Sequence, residues 1–490
     1  MSRCHPHTLF LLALAACIRE PTAIILPPGT HYGYYVTVNG APGGTGADSA
    51  PWDLATALAG ADGVIAPGDT VWIRQGTYRG RFETALAGAA NAPIIFRGYP
   101  GERATIDGSL DARGSYLTFW GIEIMQSNPV ATADYVLRAN TASGRFINLV
   151  LHDAGGSGIS FIKDRGDGVE LYGSLVYNNG TAENVDHGLY AHNETAGSKA
   201  VVDNVFFNNY ARGIQIYADG DVVLRNIRAE GNVAFNNGSI SAGSTPVNLL
   251  VSASVPTSGM TVRDNLLYAS PGTDGIGLRI GDYDPSFNGD ILIEGNYSAG
   301  GAAGLQLRQR WSQATVRNNT FVGSTEVVQT GGLALLLAYT WTGNRYHRDP
   351  AATGWEHDNT EYDFAGWKAQ TGLGDADQVS GALPAEARVF VRPNRYEAGR
   401  AHVIVYNWPR SASVAVDLSG VLSAGDRYEV RNVQDVFGAP VVAGTFDGTA
   451  VVLPMSGVAP PTPIGRLTPR QAPRTAPEFD VFLVTVSSTQ

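Results

Sequence analysis

A short phrase recurs through the middle of the chain: a glycine, or once an asparagine, followed by alternating apolar and polar residues. Its copies begin 30, 25, 35, 29 and 27 residues apart, at Gly158, Gly188, Gly213, Asn248, Gly277 and Gly304. A second phrase lies between these copies and places Asn before a short apolar strand, at Asn204, Asn232, Asn265, Asn296, Asn319 and Asn344. Such a unit cannot bury its own apolar face, so neighbouring units must stack. The repeat therefore predicts a solenoid of stacked coils.

Strands this short are expected to pair in parallel between coils, which makes a parallel β-helix the predicted architecture. The Asn of the second phrase would occupy one corner of each coil, where it suits a tight turn with left-handed backbone. Its copies would then form a ladder with a spacing of about 4.8 Å. A β-propeller is the alternative, but its blades are longer, at about 40–50 residues.

The segments around the repeat divide the chain into three parts. Residues 1–16 have the positive start and short apolar run of a signal peptide, and residues 14–17 (LAAC) resemble a lipobox in which Cys17 is lipidated. Residues 30–375 are the predicted β-helix. Residues 387–490 change to longer alternating strands, as in a small β-sandwich. We therefore expect an all-β protein, a right-handed parallel β-helix followed by a β-sandwich, that is secreted or lipid-anchored in the cell envelope.

Both ends of the predicted β-helix carry segments that would cover an open coil. Residues 51–58 look like a short helix over the first coil, and the aromatic residues 364–371 look like an irregular segment on the last one. The C-terminal sandwich would either bind carbohydrate or cover the last coil. Three tryptophans in turn-rich segments would either stack on sugar rings or pack in the core: Trp311, Trp341 and Trp355.

Two runs near the N-terminus carry a family resemblance. Residues 67–78 (PGDTVWIRQGTY) and 93–98 (PIIFRG) resemble the opening of bacterial right-handed β-helix proteins, among them polysaccharide lyases of the chondroitinase B and alginate lyase type. The resemblance covers roughly residues 30–375 and implies the fold first, because lyases, glycoside hydrolases, epimerases and non-catalytic proteins share this scaffold. It also implies that calcium is a cofactor to consider. No catalytic residue of the lyases aligns with a particular position here.

The alternation predicts which side chains leave the core along the Gly-led strands. If the residue after each glycine is buried, the next one points outwards. The predicted outward row is Ser160, Tyr190, Gln215, Leu250, Arg279 and Gln306. A second row, two residues further on, is His192, Tyr217, Ser252 and Arg308. Rows that continue across coils would form a strip several sugars long.

The candidate site residues come from this strip and its turns, where residues 186–194 are the densest cluster of titratable groups. The predicted catalytic residues are Tyr190, His192, Glu194, Asp219 and Arg279. The predicted substrate-binding residues are Asp186, Arg212, Gln215, Tyr217, Gln306 and Arg308.

These residue types support two kinds of cleavage. In β-elimination on a uronic acid, Tyr190 or His192 would serve as base and acid while Arg279 or Arg308 binds the carboxylate. Lys163 and Lys199 would be alternative bases or plain surface residues. In hydrolysis, Glu194 and Asp219 would supply the carboxylate pair. The arginines favour the lyase, with hydrolysis, epimerisation and glycan binding without catalysis left as alternatives.

The charge and cysteine content limit which partners and cross-links are expected. The net charge of −11 and the pI of about 5.3 argue against nucleic acid, which requires a basic face. We expect a monomer that binds a polysaccharide or oligosaccharide and meets a membrane only through the lipid anchor. Cys4 and Cys17 both lie in the first residues, so no disulfide is expected in the body of the chain. The Asp-rich turns offer oxygen ligands for calcium, but no ligand spacing demands it.

Overall fold

Three parallel ladders of short strands wind around one core and form the body of the protein. The computed structural model describes residues 33–129, 135–181, 185–218, 223–241, 243, 245–281, 287–331, 339–464 and 471–486. The predicted parallel β-helix is confirmed, and it runs from the strand Tyr34–Val36 to the strand Gln378–Ser380. The predicted signal peptide and Cys17 lie outside the described residues. None of the described helices is long and apolar enough to cross a bilayer.

Each coil contributes one strand to each ladder. Ladder 1 consists of Tyr34–Val36, Thr70–Ile73, Ile94–Gly98, Leu117–Trp120, Arg145–Ile147, Glu170–Tyr172, Lys199–Val202, Ile227–Glu230, Met260–Arg263, Phe287–Glu294, Arg310–Arg317 and Tyr339–Thr342. Ladder 2 consists of Glu123–Met125, Val150–His152, Leu175–Tyr177, Val205–Phe207, Val233–Phe235, Leu266–Ala269, Tyr297–Gly300, Thr320–Val322, Arg345–His347 and Gln378–Ser380. Ladder 3 consists of Leu137–Ala139, Ile159–Phe161, Leu189–Ala191, Arg212–Ala218, Val247–Ala253, Ile276–Ile280, Ala303–Leu307, Glu326–Thr330 and Trp355–His357.

A few strands lie outside this scheme. The long strands Gly76–Thr84 and Ala104–Ala112 pair with each other, and the second then begins both ladder 2 and ladder 3. Thr360–Tyr362 pairs antiparallel with the last strand of ladder 3. Leu224–Arg225 and Thr257–Ser258 form a small separate pair at a corner of the solenoid.

Inward side chains of the same kind stack from coil to coil and fill the core. On ladder 3, Ile159, Leu189 and Ile214 are register partners and are fully buried. On ladder 1, the rings of Phe96, Phe119 and Phe146 stack with centroid distances of 5.2 and 5.6 Å. The alternating pattern of the sequence thus fixes which face of each strand is buried.

The predicted asparagine ladder is present in the interior, at the corner before ladder 2. Each side-chain amide donates to the Oδ1 of the Asn on the next coil, over 2.9–3.1 Å, from Asn204 to Asn344. The expectation that these Asn adopt left-handed backbone is wrong. That conformation falls one residue earlier, for example at Asp203 and Asp264 with φ of 52° and 55°. The turn is made there, so the Asn itself is free to direct its side chain into the core.

Short helices close both ends of the column. At the N-terminal end, helix Leu54–Leu58 follows the capping residue Asp53, as predicted, and its residues Leu54, Ala57 and Leu58 are buried. At the C-terminal end, Phe364–Thr371 is an α-helix and not the expected irregular segment. Asp363 caps it by accepting a hydrogen bond from the Gly366 amide at 2.7 Å, and Trp367 is fully buried against the last coil.

The C-terminal part is a small antiparallel β-domain that packs along the side of the solenoid. Its five-stranded sheet has the order Arg388–Pro393, Ala401–Tyr406, Phe479–Val486, Arg427–Asn432, Val442–Thr445. A two-stranded antiparallel sheet of Ser413–Val416 and Val451–Pro454 packs with one face of this sheet in a shared apolar core. The other face packs on the outer surface of ladder 2, where Phe479 stacks on Tyr268 at 4.4 Å. The domain therefore covers a side of the middle coils and not the last coil.

Candidate active-site groove

The outer face of ladder 3 carries one unbroken row of mainly polar side chains. The register of the strands confirms the predicted row and extends it at both ends. From coil to coil it runs through Asp111, Arg138, Ser160, Tyr190, Gln215, Leu250, Arg279, Gln306, Gln329 and Glu356.

The N-terminal half of this row is the floor of a groove. A cavity of about 540 Å³ is lined by Arg138, Ser160, Tyr190 and by residues of the turns beside them. A second cavity of about 280 Å³ continues it toward Arg81 and shares part of the same lining. Together they form the ladder-3 groove, lined by Arg81, Phe82, Glu83, Ser109, Leu110, Asp111, Arg113, Tyr135, Arg138, Asn140, Ser160, Phe161, Ile162, Lys163, Arg165, Tyr190 and His192.

Positive charge dominates the ladder-3 groove although the chain as a whole is acidic. Of its charged lining residues, two are acidic, and both contact Arg113: Asp111 at 2.7 Å and Glu83 at 3.9 Å. The cationic lining residues are Arg81, Arg113, Arg138, Lys163 and Arg165. They come from four successive coils, so the groove offers cations along its whole length.

His192 and its neighbours form the titratable centre of the groove. His192 is 7% exposed, and burial lowers its pKa, an effect reinforced by the charges of Lys199 and Lys163 and opposed by Glu194. Its Nε2 makes no hydrogen bond to any described residue and lies 3.8 Å from Glu194 Oε1. The same Glu194 oxygen lies 3.3 Å from Lys163 Nζ. At neutral pH the ring is therefore uncharged, as a general base must be.

Lys199 lies beneath this centre, inside the solenoid. It is fully buried, and its ammonium donates to the carbonyl of His192 at 2.8 Å and to the carbonyl of Ile162. Burial lowers the pKa of Lys199 to about 8. The amine thus bonds the residues that directly follow two neighbouring ladder-3 strands, Ile159–Phe161 and Leu189–Ala191, and both of these residues line the groove. The reading of Lys199 as a surface residue is wrong.

Residues 34–248 match the family model described as "Pel9A-like, right handed beta helix region". This part of the chain is a Pel9A-like right-handed β-helix. The matched residues include the whole ladder-3 groove and leave out the later coils and the C-terminal domain. No curated protein matches the chain significantly.

Several solved structures are similar to this chain at low identity. Pectate lyase Pel9A is 18% identical, with 64% of this chain and 73% of that chain covered and a TM-score of 0.43. A rhamnogalacturonan lyase is 17% identical, with 64% and 87% covered and a TM-score of 0.49. An alginate lyase from Paenibacillus sp. str. FPU-7 is 16% identical, with 68% and 97% covered and a TM-score of 0.36. Similarity at this level carries no argument about activity.

Three of the predicted catalytic residues meet at one place in the Pel9A-like region. Tyr190 and His192 line the groove, and Glu194 contacts His192 and Lys163. The ring of Tyr190 also lies parallel to that of buried His187, with centroids 6.1 Å apart. Asp219 lies outside the described residues.

The other predicted residues are spread along the solenoid. Arg212 and Gln215 share the next coil and are hydrogen-bonded at 2.6 Å, and Tyr217 follows on the same strand. Gln306 and Arg308 lie two coils beyond Leu250, where Arg308 donates to Gln329 at 2.8 Å. Asp186 is buried before its strand and accepts a hydrogen bond from the Thr181 amide at 2.9 Å.

The pairing of Tyr190 or His192 with Arg279 or Arg308 on one sugar is wrong. Three strand spacings separate Tyr190 from Arg279, a distance of about 14 Å. Arg308 is one coil further still. These arginines therefore cannot bind the carboxylate of a sugar whose proton Tyr190 or His192 removes.

The tryptophans do not form sugar-stacking platforms. Trp311 and Trp355 are fully buried, and Trp341 is 7% exposed. All three belong to the main core of the solenoid.

Sequence reasoning missed the arginines that share the groove with Tyr190, although it named Lys163. Arg138 is the direct register partner of Ser160 and also of Asp111, and Tyr135 lies beside it with its ring centroid 5.6 Å from the guanidinium carbon. The strand Leu137–Ala139 has neither the Gly nor the Asn phrase. The alternation in residues 135–139 (YVLRA) was the available signal, because it has the same period as the recognised copies.

Calcium finds no site in the described part of the groove. Among the described residues, no three His, Cys, Asp or Glu side chains come together as a metal site. The two acidic residues of the groove, Asp111 and Glu83, contact the same arginine, and Glu194 beside the groove contacts Lys163. The residues present do not fit the ion.

Proposed function

We propose that the chain cleaves an acidic polysaccharide by β-elimination in the ladder-3 groove. The observation that carries the proposal is five cations lining a groove next to a histidine whose pKa burial lowers. A groove this basic on a chain with a net charge of −11 is suited to a carboxylate-bearing glycan. The groove extends over several coils, so it takes a chain of sugars and not a single one.

The reaction needs a base, an acid and a cation around one uronic acid. The base takes the proton from the carbon next to the carboxylate, and that electron pair forms a carbon–carbon double bond. The glycosidic oxygen then leaves with its bonding electrons and takes up a proton from the acid. A guanidinium on the carboxylate assists because it stabilises the negative charge that develops in the transition state.

The groove residues fill these roles in a definite order. His192 Nε2 makes no hydrogen bond to a described residue, and this atom takes the proton. Tyr190, two residues earlier on the same strand, supplies the proton to the leaving oxygen. Arg165 on the adjacent coil and Arg138 on the coil beyond it bind carboxylates, in bidentate fashion where the geometry allows.

Hydrolysis is the second candidate, because the groove also contains two adjacent carboxylates. Glu83 and Asp111 are register partners on neighbouring strands. Both contact Arg113, at 3.9 and 2.7 Å, whereas a glycoside hydrolase needs its two carboxyl groups to flank the scissile bond. This contact is why the lyase is preferred.

The first experiment identifies the reaction. Purified protein is incubated with acidic and neutral polysaccharides while ultraviolet absorbance and reducing ends are followed together. β-Elimination predicts that both signals rise, and only on acidic glycans. Reducing ends without absorbance on any glycan would overturn the lyase in favour of hydrolysis, and binding without new ends would leave a non-catalytic glycan-binding protein.

The second experiment assigns the residues. Arg138→Ala and His192→Ala are each expected to lower kcat/KM about 100-fold or more, as loss of one transition-state contact or of the base does. Arg317→Ala is the matched control, because this arginine pairs with Glu294 at 2.7 Å on ladder 1, away from the groove. Equal activity of Arg138→Ala and the control would refute the assignment.

We also propose that the protein acts outside the cytoplasm, attached through Cys17. The support is the predicted signal peptide and lipobox of residues 1–17. Cys17→Ser should release the mature protein from the membrane fraction of expressing cells. Full retention of that variant in the membrane would contradict lipid attachment.

A further inference from the structure

The outer face of ladder 2 changes character at the place where the C-terminal domain stops covering it. In the middle coils one outward row is apolar, from Leu175 through Leu266 to Tyr297, and it is buried against the five-stranded sheet. The next two members of the same row are Thr320 and Arg345. The row therefore turns polar where its apolar cover ends.

A cavity of about 470 Å³ opens at that place, between the solenoid and the segment that leads into the C-terminal domain. Its volume is within the usual range for ligand pockets, and ligand sites favour such domain junctions. We call it the junction pocket, lined by Tyr297, Thr320, Arg345, His347, Pro384, Ala385, Glu386, Ala387 and Arg388.

Two guanidinium groups give the junction pocket its charge. Neither Arg345 nor Arg388 forms an ion pair with a described residue, whereas Arg317 and Arg410 nearby on the chain are paired with glutamates at 2.7 and 2.5 Å. The guanidinium carbon of Arg388 lies 5.2 Å from the centroid of the Phe390 ring. A pair of arginines without acidic partners in one pocket favours an anionic ligand.

The remaining polar groups suit the hydroxyls of a sugar. His347 Nδ1 donates to the Ala382 carbonyl at 3.0 Å, which leaves Nε2 as an acceptor. The hydroxyl of Tyr297 accepts a hydrogen bond from the Trp408 indole at 3.0 Å and keeps its own proton for donation. Glu386 adds a carboxylate acceptor. Donors, acceptors and cations are thus present together.

We propose that the junction pocket binds an acidic sugar unit, with its carboxylate between Arg345 and Arg388. The choice of a glycan as ligand rests on the proposed function, while the anion preference rests on the pocket alone. Along the solenoid, the pocket lies five ladder-2 strand spacings beyond the coil that carries Tyr190, about 24 Å away. It would therefore hold a part of the polysaccharide other than the part being cleaved, and retain the enzyme on the polymer.

The test measures binding in full-length protein whose groove is disabled by Arg138→Ala with His192→Ala. The probes are a uronic-acid hexasaccharide, a neutral hexasaccharide and inorganic phosphate, each followed by calorimetric titration. The uronic-acid probe should still bind, and adding Arg345→Ala with Arg388→Ala should weaken it about tenfold or more. Adding Arg317→Ala in their place should leave the affinity unchanged. Thermal unfolding checks the fold, and Arg345→Ala alone is the second variant because this residue is exposed.

Each result has one meaning. No binding in the groove variant, or binding that the pocket substitutions leave unchanged, overturns the proposal. Phosphate binding as tight as that of the uronic-acid hexasaccharide would make the pocket a general anion site and overturn its preference for a sugar. Equal binding of the neutral hexasaccharide would show that the two arginines do not select the ligand by its carboxylate. If the pocket variant loses binding but wild-type protein cleaves no glycan, the proposed function fails and the pocket stands. If wild-type protein cleaves an acidic glycan but the pocket substitutions leave binding unchanged, the pocket proposal fails and the proposed function stands.

Discussion

Replacing Asn265 by Ala tests how much the interior asparagine ladder stabilises the stack. The amide of Asn265 donates to the carbonyl of Ala229 and to Oδ1 of Asn296, both at 2.9 Å. Its Oδ1 accepts from the backbone and side-chain amides of Asn232 at 3.0 and 3.1 Å. All of these groups are inside the solenoid and have no water to replace a lost partner. One substitution therefore removes four hydrogen bonds that connect three coils.

The expected loss follows from that count. Four bonds at about 1 kcal/mol each give a loss of about 4 kcal/mol in the free energy of unfolding. The cost is concentrated at two coil interfaces, because each coil of a solenoid contacts only its neighbours. It is large beside the usual stability of about 5–15 kcal/mol for a folded domain.

Urea unfolding followed by tryptophan fluorescence measures the loss, with the midpoint and slope compared between variants. Hydrogen exchange at the amides of the strand Leu266–Ala269 localises it. Asn91→Ala is the matched control, since this Asn is exposed in a turn. If Asn265→Ala differs from the control by less than about 1 kcal/mol, the ladder is not the stabilising element that its geometry indicates.

Three further predictions concern the groove and the domain junction. The pKa of Lys199 is lowered from 10.5 to about 8, so the unfolded chain holds this proton more tightly than the folded protein does. As the pH rises from about 8 to 10.5, wild-type protein should therefore gain about 3 kcal/mol of stability relative to Lys199→Met. Denaturation measured across that pH range tests this. Because the pKa of His192 is lowered, the acid limb of the pH–activity profile should fall below pH 6.5, moving up in Lys163→Met and down in Glu194→Gln. An unmoved limb would exclude His192 as the base. Phe479→Ala should cost about 3–5 kcal/mol of stability at the interface with ladder 2. It should also expose the segment that leads into the C-terminal domain to limited proteolysis. Unchanged digestion would show that other contacts hold the domain.

The fold was largely predictable because its signal is local and repeated. Each Gly-led copy predicts one strand, and the alternation within it predicts which residue leaves the core. The aligned register of Ser160, Tyr190 and Gln215 follows from those two facts alone. The asparagine ladder was predictable for the same reason, since one residue type recurs at one corner. Its backbone conformation was not, because the preceding residue, an Asp, Gly or Asn, makes the turn.

The site was only partly predictable because its composition depends on contacts between coils. Arg138 enters the groove through a strand without either phrase, so its register with Ser160 was hidden. Lys199 gives no sign in the sequence that its amine bonds two carbonyls from other strands. The cover on ladder 2 did leave a signal: residues 205–207 (VFF) are apolar without alternation, as in a strand buried on both faces.

The position of the groove follows from what occupies the other two faces of the solenoid. The outer face of ladder 2 is apolar in its middle coils and lies under the C-terminal sheet. On ladder 1, successive coils alternate in charge from Glu230 to Arg263 to Glu294, and each contact across coils joins opposite signs. The charges of these three coils therefore offset one another. The outer face of ladder 3 differs from both, because five cations and two acids are found among the described residues that line its groove. Under the proposed function, an anionic chain laid along the solenoid is attracted to ladder 3 and meets the side chains of the ladder-3 groove there.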